Sequence, residues 1–385
     1  MSDFTESSND DTPASAYCER AKEAFDRGEL ETAEELLRKA AKLFEEAGDD
    51  EVSKAYRGLG IIARGRRDLD AADEWYRKSL EIDERSGNER GAARTYHNLS
   101  LVSIGRGDFE AAENWLRKSI HIAEKHGDEI VASESYQQLG LVAYRRGDLN
   151  VADEWYQKSL EIDEKTGDEL GAARTYHYLS DVAYGREDFH SAEKWVWKSI
   201  HINEKLGSEI GASAAYNQLG MIAYQQGNLD AADEWYRKSL EIDERSGDEL
   251  GAAKTYHNLS AVANARKDVE SAEKWLRKSL HIKEKLGDEI GVAHSYQELG
   301  IVAGTRQDLD AAEQWFFKAL EIYEKLNDEI GMADCFTHLG SRAHYQCDYE
   351  ASQKWYEKAL EIYEKRGAAN WAAKIRTALA QATSV

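Results

Sequence analysis

Between residues 136 and 160 the apolar positions fall at helical intervals. Tyr136, Leu139, Gly140 and Ala143 stand at i, i+3, i+4 and i+7, and Leu149, Ala152, Tyr156 and Leu160 keep a similar spacing further on. Positions three and four apart share one stripe of a helix with 3.6 residues per turn, so each set predicts an amphipathic helix. Between the two, Gly147 suits the left-handed residue that closes a helix, and Asp148 suits the N-cap that opens the next. The pattern predicts helix, tight turn, helix.

That unit repeats along the chain. Trp75, Trp115, Trp155, Trp195, Trp235, Trp275, Trp315 and Trp355 stand forty residues apart with no insertion between them. A second ladder runs through Tyr56, Tyr96, Tyr136, Tyr176, Tyr216, Tyr256 and Tyr296, with Phe336 in the next place and Tyr17 thirty-nine residues before the first. Asp68, Asp108, Asp148, Asp188, Asp268, Asp308 and Asp348 sit where the second helix begins, and Gly87, Gly127, Gly167, Gly207, Gly247 and Gly287 where it ends. Links of two or three residues force successive helices to lie antiparallel and to bury their stripes on each other and on neighbouring hairpins. The expected fold is all-α, a solenoid of about nine tandem hairpins over residues 13–369, with units starting near 13, 52, 92, 132, 172, 212, 252, 292 and 332. Residues 1–12 are expected to be a disordered acidic terminus, with Thr12 and Pro13 as N-cap and first helical residue. Residues 370–385 read as a capping helix and tail.

Composition sharpens this reading. One proline, Pro13, and an abundance of Ala, Glu, Lys, Leu and Arg suit long helices. A net charge of -23, from 73 acidic against 50 basic residues, argues against binding phosphate backbones or anionic lipid, and no nucleic-acid or membrane partner is expected. There is no apolar run long enough to span a bilayer and no secretory leader, so a cytoplasmic protein is expected. Cys18, Cys335 and Cys347 are odd in number and widely spaced, unlike a disulfide framework.

The segment AYNQLGMIAYQQGNLDAADEWYRKSLEID (215–243) resembles a tetratricopeptide repeat: an aromatic, then Leu-Gly, a small residue, an acidic turn, Ala, and an aromatic before a second small residue. The resemblance covers residues 13–382. The forty-residue length and the Gly-Asp-Glu link are most similar to the long repeats of Pins-type scaffolds, kinesin light chains and bacterial sensor proteins. It implies a right-handed superhelix in which first helices line the concave face and second helices lie outside. Where peptide-clamping relatives use Asn, this chain has Ile61, Leu101, Leu141, Met221, Ala261 and Ile301, so a carboxylate clamp is not expected.

Inside the repeat a finer period appears. Gly60, Gly140, Gly220 and Gly300 follow leucine in alternate hairpins, while Ser100, Ser180 and Ser260 do so in those between, giving a duplicated module of about eighty residues. Leu69–Gly87 is identical to Leu229–Gly247, yet the first helices before them differ at more than half their places. Divergence therefore collects on the inner helix, in three series that share one stripe: Arg57, His97, Gln137, His177, Asn217, His257; the positions of Asp181 and Met221; and Arg64, Tyr144, Tyr184, Tyr224. We expect these residues, with Arg145, to face a groove that reads a protein or peptide ligand. Tyr144, Tyr184 and Tyr224 would form an aromatic ladder of anchors. The competing reading is that exposed inner positions drift and the tyrosines pad contacts between repeats. Lys54, Arg57, Arg64, Arg94 and Arg145 would make the amino-terminal part of the groove basic and suit an acidic peptide.

Other constellations carry less. The tryptophans read as core packing. Cys335, His338, His344 and Cys347 point in several directions around one helix, so no metal site is expected. No phosphate-cradling loop, HExxH, G-x-S-x-G or CxxC pair occurs, so neither a cofactor nor enzymatic activity is expected. Two functions remain: a scaffold that holds a polypeptide segment, or a ligand-sensing regulatory component of a bacterial signalling or defence system that acts on a separate effector.

Overall fold

A computed structural model describes residues 13–383. The expected acidic terminus 1–12, including the Thr12 cap, lies outside the described residues. Two compact units divide the chain, residues 1–202 and 203–385. In the first, hairpins are formed by α1 (Pro13–Asp26) with α2 (Leu30–Ala47), α3 (Val52–Gly65) with α4 (Leu69–Ser86), α5 (Glu89–Gly105) with α6 (Phe109–His126), and α7 (Glu129–Arg145) with α8 (Leu149–Thr166). Helices α9 (Glu169–Gly185) and α10 (Phe189–Leu206) follow, the unit boundary falling in the last turn of α10. The second unit holds α11 (Glu209–Gln225) with α12 (Leu229–Ser246), α13 (Glu249–Ala265) with α14 (Val269–Lys285), α15 (Glu289–Thr305) with α16 (Leu309–Leu326), α17 (Glu329–Tyr345) with α18 (Tyr349–Lys365), and α19 (Ala369–Thr383). Among the described residues every element is a helix.

The turns obey the capping chemistry of the sequence. Asp108 accepts from the Ala111 amide at 3.0 Å and Asp148 from Val151 at 3.2 Å, each satisfying one donor that the helix start leaves open. Gly107 and Gly147 take φ of 76° and 82° in the left-handed region before these caps. At the equivalent places Arg67, Glu187, Lys267, Gln307 and Cys347 adopt φ near 60° without being glycine.

Packing explains the alternation of Leu-Gly and Leu-Ser hairpins. A β-carbon on Gly140 would lie 2.5 Å from the Tyr156 ring, and Gly60 and Gly220 meet Tyr76 and Tyr236 in the same way. Where serine replaces that glycine, at Ser100, Ser180 and Ser260, the facing residue of the second helix is the smaller Leu116, Val196 or Leu276, each fully buried. Volume is conserved across the hairpin, as close packing demands.

The tryptophan ladder packs against the core clusters from their edge rather than filling their centre. Trp155 is half-buried, stacked on Tyr136 at 5.5 Å, with the Lys158 ammonium 4.5 Å above its ring. The same Tyr–Trp–Lys cluster, with the lysine over both rings, recurs at Trp115 and Trp275. Helical geometry turns the next position inward instead, so Tyr76, Tyr156 and Phe316 fill the hairpin interior.

Candidate functional site

Within each unit first helices of successive hairpins touch one another: α3 with α5, α5 with α7 and α7 with α9 in the first, α11 with α13 and α15 with α17 in the second. The second helices do not approach each other as closely. The side on which consecutive elements crowd together is the inner side of a stack, so first helices form the inner layer of each unit.

Not every expected groove residue faces outward from that layer. Arg57 is 1% exposed, and its guanidinium donates to Asp83 Oδ2, the Gly91 carbonyl and Thr95 Oγ1, each at 3.3 Å. Gln137 is buried and donates to Thr175 Oγ1 at 2.9 Å. Asn217 donates to Thr255 Oγ1 at 2.9 Å and accepts from Asn258 at 2.9 Å, and His97 Nδ1 lies 3.1 Å from Ser135 Oγ. His257 sits in the same series in the second unit. There burial, with the Lys283 and His294 charges nearby, pushes its imidazole down to about 4. This series is a seam that joins one first helix to the next. For Arg57, His97, Gln137 and Asn217 the hydrogen-bonding reach that made them resemble ligand readers is spent on the neighbouring hairpin, whereas His257 Nδ1 is buried without a hydrogen-bond partner among the described residues.

A polar spine, invisible to apolar periodicity, completes the seam. Ser79 donates to the Ser53 carbonyl at 2.9 Å and Ser119 to the Ala93 carbonyl at 2.8 Å. Deeper still, Asp83, Asp163 and Asp243 are buried at an eighty-residue spacing. Thr175 donates to Asp163 Oδ2 at 3.0 Å, and Ser133 bonds its other oxygen. Burial pushes the Asp163 and Asp243 carboxyls up. At Asp83 burial acts in the same direction while Arg57 pulls against it. The signal that would have found this spine is polar identity recurring where the hydrophobic pattern expects burial.

The remaining candidates do lie on the inner layer. On α7 and α9, Tyr144 and Tyr184 are half-buried, and the Tyr144 ring passes 3.9 Å from where a β-carbon on Gly185 would stand. Burial first, then Asp181 and Tyr184, push the Tyr144 phenol up. Tyr184 meets Phe189 edge-on at 5.8 Å. His177 Nε2 stands 3.9 Å from Asp181 Oδ2, and Tyr178, missed in the sequence, stacks on Tyr156 at 5.2 Å. Arg145 is exposed at the end of α7, and Arg64 is half-buried with Nε lacking a hydrogen-bond partner. Among the described residues neither arginine has an ion-pair partner. In the second unit Met221 is exposed and Tyr224 half-buried on α11.

The expected basic stretch is narrower than its sequence suggests. Lys54 pairs with Glu51 at 2.5 Å, Arg94 approaches Asp128 at 3.6 Å, and Arg57 is buried with Asp83, which leaves Arg64 and Arg145. Among the described residues no group of His, Cys, Asp or Glu is placed to hold a metal ion, and no helix is long and apolar enough to cross a membrane.

The chain is similar to several solved structures. The apo quorum sensor NprR from B. thuringiensis aligns with a TM-score of 0.65 at 13% identity, over 90% of this chain and 97% of that one. A signal transduction ATPase with numerous domains, carrying a tetratricopeptide repeat sensor, from Pyrococcus horikoshii gives 0.62 at 16% identity, over 90% of this chain and 55% of that one. A Rap protein complexed with competence and sporulation factor gives 0.58 at 14% identity, over 91% and 98%. A comparison with curated proteins finds no match. A family model described as the MalT-like TPR region matches residues 83–290, and the tetratricopeptide repeat model matches residues 12–85 and 288–365. With more than half of its length in the first and both flanks in the second, the chain belongs to the tetratricopeptide-repeat family.

Proposed function

We propose that the protein binds a polypeptide segment on the inner layer of its first unit, with Tyr144 and Tyr184 as anchors. The observation that carries this is the placement of two half-buried tyrosines on adjacent, touching first helices, with Asp181 near Tyr144 and with Arg145, which has no ion-pair partner among the described residues, next to it in sequence. Half-burial matters here. It holds each ring in one orientation while leaving a face for a ligand, so binding costs little side-chain entropy. Arg145 gives the face a preference for acidic side chains or a carboxylate, the His177–Asp181 pair accepts a donor further along, and Arg64 offers a second cation two hairpins away on α3. Tyr224 and Met221 give the second unit a surface of the same kind.

Selection from a random-peptide display library on the intact protein tests this reading. Peptides that bind are expected to lose at least about tenfold in affinity for the Tyr144→Ala/Tyr184→Ala variant, the loss of one or two anchor residues. Unchanged affinity sinks the proposal. A second reading, that the same face senses a ligand and reports to an effector, draws support from the sensors among the similar structures. It requires small-angle scattering to change when a selected peptide is added.

A further inference from the structure

The edge of the second unit where first helices begin and second helices end is apolar to an unusual degree. Ile210, Leu250, Ile290 and Ile330 occupy the same place at the start of α11, α13, α15 and α17, and they are between 36% and 64% exposed. Leu286, just past the end of α14, and Leu326, in the last turn of α16, are exposed beside them. In the first unit the pattern is broken: Ile130 and Leu170 are exposed at the equivalent places on α7 and α9, but Arg90 stands at the start of α5, and Ser86, His126 and Thr166 end the second helices, so no leucine lies beside them. Single exposed leucines need no explanation, but a row of six on one edge marks an interaction surface.

Its charge pattern says what fits. At this edge Glu289 pairs with Lys325 at 2.6 Å, and Glu249 with Lys285, Glu209 with Arg245 and Glu329 with Lys365 in the same manner. Glutamates therefore line the helix starts and cations line the helix ends, and each pair is neutral in a chain whose net charge is -23. Two copies of so acidic a chain repel each other over most of their surface, and a locally neutral edge is where they can meet. We propose that a second copy of this chain docks here, about a two-fold axis running along the row. That symmetry sets the helix starts of one copy against the helix ends of the other, so glutamates face lysines and arginines. The forty-residue spacing of Ile and Leu is then matched by the identical spacing on the partner.

Sedimentation velocity of the intact protein between about 1 and 100 µM is the test, within the range expected for a specific interface. A dimer is expected, and Ile210→Glu/Ile290→Glu is expected to weaken it at least tenfold. Glutamate is favoured in the first turn of a helix, so the variant folds, and circular dichroism checks this. Ile130→Glu, on the first unit, is expected to leave the dimer unchanged. A wild-type chain that stays monomeric across the range overturns the proposal, whether the row is bare or kept for a different protein. So does a dimer that survives the double substitution, since it uses another surface.

Discussion

At the scale of single residues, two buried carboxylates with the same place in the repeat answer differently to loss of charge. Asp83 is matched by the buried guanidinium of Arg57, whereas Asp163 is held by hydroxyl groups alone. Asp83→Asn leaves Arg57 buried without its counter-ion and is expected to cost about 3 kcal/mol, the scale of breaking a buried pair from one side. Asp163→Asn keeps an acceptor for Thr175 and removes an unmatched charge, so stability at pH 7 is expected to rise by about 1 kcal/mol. The sign of the pH dependence follows from the raised Asp163 carboxyl. The folded state holds the proton more tightly than the unfolded state, so Asp163 makes folding more favourable as pH falls from 7 through its folded-state pKa, and the Asn variant loses that contribution. Urea titrations of the two variants at pH 7 and pH 5 check both statements. Of these residues the sequence shows the eighty-residue spacing of Asp83, Asp163 and Asp243 at places where the hydrophobic pattern expects burial, but polarity alone predicts the opposite, so only the structure shows them buried.

At the scale of the hairpin, the two helices are matched by volume. Gly140 exists because Tyr156 fills the space a side chain there would need, while Ser180 faces the smaller Val196. Gly140→Ser alone is expected to destabilise by about 1–3 kcal/mol through overpacking, and Tyr156→Leu alone by a similar amount through the cavity it leaves. The double variant recreates the Ser100–Leu116 pairing already present in the chain and is expected to be more stable than either single one. A double-mutant cycle of melting free energies measures that coupling, and additivity of the two losses contradicts the packing account. Both residues stand out in the sequence, Gly140 in the alternating Leu-Gly motif and Tyr156 in the apolar stripe. Their dependence is not legible there, since they are sixteen residues apart and only the antiparallel hairpin brings them into contact. The left-handed Lys267 and Gln307 make the same point for turns: the register of the repeat dictates the backbone, whichever residue occupies it.

At the scale of the whole molecule, hairpins touch only their neighbours, so cohesion within a unit is the sum of local interfaces. Calorimetric unfolding is therefore expected to give a total enthalpy larger than the van't Hoff enthalpy of its transition, whereas equality would mean that the chain melts as one cooperative body. The repeat length, the caps, the helical class and the membership of the tetratricopeptide family were all present in the sequence, because they depend on periodicity and on chemistry within a few residues. The sequence also singled out Tyr144 and Tyr184 through divergence between repeats and Arg145 through its charge. What only the tertiary structure decided is which variable polar side chains are bound to the next hairpin. Arg57, Gln137 and Asn217 share a stripe with the tyrosines, but the next first helix packs close enough to take their hydrogen bonds. That choice rests on distances between residues thirty-eight apart along the chain, and no pattern within one helix contains it.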